Sequence, residues 1–175
     1  MNDAGVPEIP RPLMLLARTI AVLGTVGVAA LVVLVDTDVI SRLTMRHPVA
    51  GVPELAALSI VCVVFLQAPW ALAAQRMVRT EFMFGVVGRW GPRAVAYFEG
   101  FLALVGGLLF AAVANAVYPV LLRHLRTGDT YGDPQIFQIA KWPTTLIVLV
   151  SSLLLAIIYL AQAWAWFRQA RRSAS

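Results

Sequence analysis

Residues 13–35 read LMLLARTIAVLGTVGVAALVVLV, and only Arg18 among them carries a charge. A helix needs about 20 predominantly apolar residues to cross the roughly 30 Å of bilayer hydrocarbon. This stretch meets that requirement. Arg18 lies close enough to its start to reach the interface while its alkyl stem stays in hydrocarbon. The run is longer than the roughly 7–15 residues of a signal-peptide core, and no small-x-small cleavage site follows it, so it is read as a retained first span.

Working outward from that run, three more apolar stretches appear. Span two covers about Glu54–Ala74 and contains Pro69, which a membrane helix tolerates where neighbours satisfy the freed carbonyl. Span three, about Ala94–Leu122, is longer than a crossing needs and is expected to tilt or project. Span four, about Trp142–Phe167, ends in Trp164, Trp166 and Phe167, followed by Arg168, Arg171 and Arg172. The expectation is an all-α membrane protein: one integral membrane domain over 1–175 with four transmembrane helices. Composition agrees, with 60% hydrophobic and 13% charged residues and a mean hydropathy of +0.80. Soluble domains hold about 45–50% apolar and about 25% charged residues.

The charged residues gather between the spans. One knot holds Asp36, Asp38, Arg42, Arg46, His47 and Pro48, then Gly51 and Pro53; a second covers Arg123–Lys141, with Arg126, Gly128, Asp129, Gly132, Asp133 and Pro134. The stretch Gln75–Arg93 differs, because it mixes Arg76, Arg79, Glu81, Arg89 and Arg93 with Met77, Phe82, Met83, Phe84 and Trp90. Such a mixture suits an amphipathic arm helix lying in the membrane interface between spans two and three. A connecting loop with incidental hydrophobic residues is the alternative.

Lys and Arg are enriched on the cytoplasmic side of membrane proteins. With both termini inside, the inner side carries nine of these residues and the outer side five. The expected topology is multi-pass with both termini cytoplasmic. The net charge of +5 therefore serves orientation. No basic face with interleaved aromatics is present to grip a nucleic-acid backbone.

Catalytic and cofactor chemistry find little support. The two histidines, His47 and His124, lie in the knots, whereas a haem-bearing bundle needs paired ligands within its spans. Only Asp36 and Asp38 approach a metal-ligand cluster, and solvation of a helix end accounts for them as well. Cys62 is the single cysteine, which excludes an intramolecular disulfide. No phosphate-binding glycine loop or nucleophile elbow occurs. Intramembrane charge usually marks an ion or substrate path, and the middles of all four spans lack it. Glu54 and Glu99 sit near span beginnings, where they can favour a helix N-terminus. Catalytic, cofactor-binding and metal residues are therefore expected to be none.

Two structural features stand out. In span three Ala103, Gly107, Ala111 and Asn115 recur every four residues, a small-residue row with an amide suited to close helix contact in lipid. In the first knot Asp38 and Arg42 stand one helical turn apart, suited to an ion pair that fixes the end of span one. Glu54 is placed either to cap span two or to join that pair.

With the knots placed, the chain resembles the small, DctQ-like membrane subunit of tripartite ATP-independent periplasmic (TRAP) transporters. The resemblance rests on Asp38-Val39-Ile40-Ser41-Arg42, then Pro53-Glu54-Leu55 about a dozen residues later. Arg76-Met77-Val78-Arg79-Thr80-Glu81 follows span two, and Gly128-Asp129 with Lys141-Trp142-Pro143 flanks the loop into span four. It covers roughly Leu13 to Trp166. Where the family often has a histidine before the hydrophobic-Arg-x-acidic run, this chain has Met77.

The resemblance implies a non-catalytic scaffold of a sodium-driven importer of organic acids in the bacterial inner membrane. Its implied partners are a large multi-span subunit carrying the transport sites, a periplasmic substrate-binding protein and membrane lipids. On this reading Asp38, Arg42, Glu54, Arg79, Glu81, Gly107 and Asn115 serve structure and subunit contact, while Arg46, Arg126, Asp129 and Lys141 are candidates to touch the binding protein. Two other readings compete: an orphan four-helix membrane enzyme or electron carrier, and an autonomous small transporter.

Overall fold

The computed structural model describes residues 10–47, 49–74, 92–132 and 137–172. Among them are four long helices: α1 (Arg11–Met45), α2 (Val52–Ala73), α3 (Pro92–Thr127) and α4 (Trp142–Arg172). All four are long and apolar enough to cross a membrane. A two-residue antiparallel ladder, β1 (Thr130–Tyr131) with β2 (Ile139–Ala140), joins α3 to α4. The interfacial arm expected at 75–93 falls almost wholly on residues 75–91, which lie outside the described residues. Its last two residues, Pro92 and Arg93, open α3.

Proline and glycine mark the ends. Pro12 sits in the first turn of α1 and Pro53 in that of α2, where the missing N–H has no intrahelical partner to lose. Gly51 caps α2 with φ 83° and Gly128 follows α3 with φ 63°, a conformation that costs glycine nothing. Arg46 ends α1 at φ 55°.

Three helices overrun their apolar stretches. α1 has 35 residues, which at 1.5 Å each gives about 52 Å, against roughly 30 Å of hydrocarbon. Its last turns include Asp36, Asp38 and Arg42, read from the sequence as part of a polar connection. Thr37 Oγ1 donates to the Val33 carbonyl at 2.7 Å, Thr44 Oγ1 to that of Ile40 at 2.7 Å, and Asp38 pairs with Arg42. Apolar length reports where hydrocarbon ends, not where the helix does.

The helices form a row in which α1 packs on α2, α2 on α4 and α4 on α3, so spatial order departs from chain order. The core near the chain termini joins Ala17 of α1, Leu72 and Ala73 of α2, and Leu154, Leu155 and Ile158 of α4. Gln162 Nε2 donates to the Leu72 carbonyl at 3.4 Å, so α4 satisfies a backbone acceptor in the last turn of α2, where intrahelical donors run out.

The α3–α4 contact is the most extensive. Along α3 the residues Ala96, Gly100, Ala103, Gly107, Ala114 and Leu121 are buried. They alternate steps of three and four or repeat every seven, the spacing of a left-handed helix seam. A Cβ on Gly106 would lie 2.9 Å from the Tyr159 ring and one on Gly107 3.0 Å from Leu160. Phe110 stacks on Tyr159 with centroids 5.8 Å apart.

The every-four row read from the sequence divides here: Ala103 and Gly107 are buried in the seam, while Ala111 and Asn115 are exposed. The cause is geometric. Four residues turn a helix by about 400°, so each step drifts about 40° and three steps leave the original face.

Replacing Gly107 by leucine forces α3 from α4 and should lower stability by about 1–3 kcal/mol, the usual cost of overpacking. Leu109→Ala, at a position 60% exposed, should leave it unchanged. Thermal unfolding in detergent micelles, followed by helical circular dichroism, compares the two.

Candidate interface at the loop-bearing end

The site is built where α1 hands over to α2 and α3 to α4. Asp38 is 6% exposed and uses both carboxylate oxygens. Oδ2 accepts from Arg42 Nε at 2.8 Å, and Oδ1 accepts the Val49 backbone N–H at 2.8 Å. The first bond is the one-turn spacing of two residues on a single helix face. The second crosses the connection and fixes the chain that leads into Gly51 and α2. Ser41 Oγ donates to the His47 carbonyl at 2.9 Å, tying the same turn to α1 a second time.

Glu54 stands in the first turn of α2, where a negative charge complements the helix N-terminus. It is half-buried and borders a pocket with Pro53, Tyr131 and Gly132. Among the described residues it forms no ion pair with Arg42.

The second connection folds over the first. The ring of Phe137 lies against Gly51, in the space where a side chain at 51 would stand. The β1–β2 ladder carries this loop, and the Lys141 N–H donates to the Asp129 carbonyl at 3.1 Å. Lys141 Nζ sits 5.7 Å from the centroid of the Tyr131 ring, a range for cation–π attraction. The Asp129 carboxylate lies 3.9 Å from Arg123 Nε and 3.8 Å from His124 Nε2. Arg46 and Arg126 are exposed and project two further cations from this end.

His124, Thr145 and Asp129 have the residue types of a hydroxyl–imidazole–carboxylate relay. The geometry is that of a loop anchor. Thr145 Oγ1 donates to the Lys141 carbonyl at 3.1 Å and lies 3.0 Å from His124 Nδ1, so its proton is engaged by backbone. The carboxylate at 3.8 Å is beyond hydrogen-bond length. Among the described residues no group of three His, Cys, Asp or Glu side chains could hold a metal ion.

Of the residues singled out in the sequence, Asp38, Arg42, Glu54, Arg46, Arg126, Asp129 and Lys141 share this end. Gly107 and Asn115 stand elsewhere, on α3, and Arg79 and Glu81 lie outside the described residues. Val49, Phe137 and Thr145 escaped the sequence reading, and Gly51 was named there only as part of the first knot. Gly51 before Pro53 carried a helix-start signal; Phe137 carried none, because its contact is made across the fold.

Asp38→Ala removes two bonds and strips Val49 of its acceptor, with an expected cost of about 1–3 kcal/mol. Arg42 is half exposed, with 52% of its side chain accessible, so Arg42→Ala should cost less than about 1 kcal/mol. Thermal unfolding of the two variants checks the order, and equal losses would show that the Val49 bond adds nothing.

Residues 31–169 match the protein family described as tripartite ATP-independent periplasmic transporters, DctQ component. No curated protein and no solved structure matches the chain. The family match runs from the middle of α1 to the last turn of α4, and so takes in both connections with Asp38, Arg42, Glu54, Asp129 and Lys141. The four membrane-length helices agree with a membrane component. The chain belongs to the DctQ family, the small membrane subunits of TRAP transporters.

Proposed function

We propose that the chain is the scaffold of a sodium-driven TRAP transporter that imports an organic acid delivered by a periplasmic binding protein. It holds a large multi-span subunit, which carries the substrate and sodium sites. The observation that carries this reading is the lack of Asp, Glu, Lys, Arg and His in the middles of the four spans. A conduit for an organic anion and sodium needs polar groups at that depth. This chain instead offers apolar surface over much of α1 and α3, suited to lipid and to a neighbouring membrane subunit.

In this reading both termini are cytoplasmic, and the loop-bearing end faces the periplasm. The Asp38 anchor keeps that end rigid while the partner moves. Arg79 and Glu81 fall in the arm expected between α2 and α3, outside the described residues. Gly107 holds α3 to α4, and Asn115, exposed on α3, is placed to hydrogen-bond a helix of the large subunit. Arg46, Arg126, Asp129 and Lys141 form the periplasmic rim that the binding protein approaches.

Affinity tagging in the native membrane should bring down a large multi-span partner, and recovery as a lone homo-oligomer would overturn the reading. In proteoliposomes the chain alone should take up nothing; uptake should require the large subunit, the loaded binding protein and a sodium gradient. Lys141→Glu, combined with Arg126→Glu, should weaken binding-protein association several-fold and flatten its salt dependence. Unchanged affinity and transport would remove both residues from the docking rim.

A further inference from the structure

Near the termini-bearing end of α4, the residues Trp164, Phe167, Arg168 and Arg171 are spaced by three, one and three positions and so share one helix face. Together they line a shallow depression of about 150 Å³. The face is graded along the helix, with two aromatic rings toward the span and two guanidinium groups toward the end. Trp164 is 70% exposed, whereas Trp166 is 7% and Ala170 1% exposed, buried with Ala96 of α3. Trp164 therefore points away from the protein's own core. Phe167 forms the inner wall, held by the Tyr97 ring with centroids 6.2 Å apart.

Among the described residues neither arginine lies within ion-pair distance of a carboxylate. A guanidinium presents a planar fork of donors that matches a phosphate. We infer that this face holds one anionic phospholipid, its phosphate between Arg168 and Arg171 and an acyl chain along Trp164 and Phe167. Charge selects the headgroup, and the apolar half selects a lipid over free phosphate, which gains nothing from rings in hydrocarbon. The depression is too small to seat a helix about 10–12 Å across. The inference stands whichever partner the chain serves.

The test uses the full chain, with any subunit that accompanies it, in nanodiscs of mixed phosphatidylglycerol and phosphatidylcholine, released into native mass spectrometry. Wild-type protein should retain phosphatidylglycerol in preference to phosphatidylcholine. Arg168→Gln with Arg171→Gln should lower phosphatidylglycerol retention roughly 30-fold, as expected for two surface cations, and leave phosphatidylcholine unchanged. The charge-preserving pair Arg168→Lys with Arg171→Lys should restore only part of it, because lysine keeps the charge and loses the planar fork. Trp164→Ala should shorten retention with both arginines in place. Equal retention of the two lipids by wild-type protein, or wild-type retention by the glutamine pair, would overturn the inference. Displacement by millimolar inorganic phosphate with no effect of Trp164→Ala would replace the lipid by a free anion.

Discussion

In hydrocarbon an unpaired backbone N–H or C=O has no water to bind, and everything else in this fold follows from that. Four helices satisfy their own backbone through the membrane, and the chain changes direction only where polar side chains and water are available. The difficulty then moves to the helix ends, where donors and acceptors run out. Here the ends are closed by a few specific contacts. Asp38 binds the Val49 N–H, Ser41 the His47 carbonyl, Thr145 the Lys141 carbonyl and Gln162 the Leu72 carbonyl. The first of these pairs a backbone donor in the α1–α2 connection; the others add a side-chain donor to a carbonyl at a connection or helix end.

A second constraint is that lipid gives no hydrophobic drive for helices to associate, because the tails are as apolar as leucine. Close contact must come from shape. The α3–α4 seam supplies it by placing glycine and alanine along one face of α3, against Tyr159, Leu160 and Phe167 of α4. The same logic holds α1 on α2, where Gly24 faces Leu66 and Gln67 and Gly27 faces Val63. Small residues in these helices mark contact within the subunit.

The four membrane-length helices among the described residues and the positions of the two connections at the loop-bearing end were legible in the sequence, because apolar length and charge exclusion are local properties. Helix ends were less legible. The residues from Asp36 to Met45 look like a loop by hydropathy and are helix by hydrogen bonding, and no window average separates the two. The seam was half legible: Ala103 and Gly107 lie in it, yet the row continued to Asn115 because steps of four were followed instead of alternating threes and fours. At the loop-bearing end, the Asp38–Arg42 spacing stood in the chain itself. The Phe137–Gly51 contact did not, since it joins residues more than eighty positions apart whose nearness is a product of the finished fold.

These constraints bear on what such a subunit can do. A row of helices, each packed extensively on one or two others, leaves α1 and α3 with broad apolar faces, which only lipid or another membrane protein can cover. Spans free of charge in their middles have no need to rearrange around an ion, so their packing can be tight and permanent. A seam of small residues against aromatic rings favours that permanence, since it tolerates little sliding. The polar work is pushed to the two ends, where Asp38 and Thr145 stiffen one and Arg168 and Arg171 meet headgroups at the other. On the function proposed above, this arrangement offers its flanks to a neighbour and suits a support beside the transport subunit.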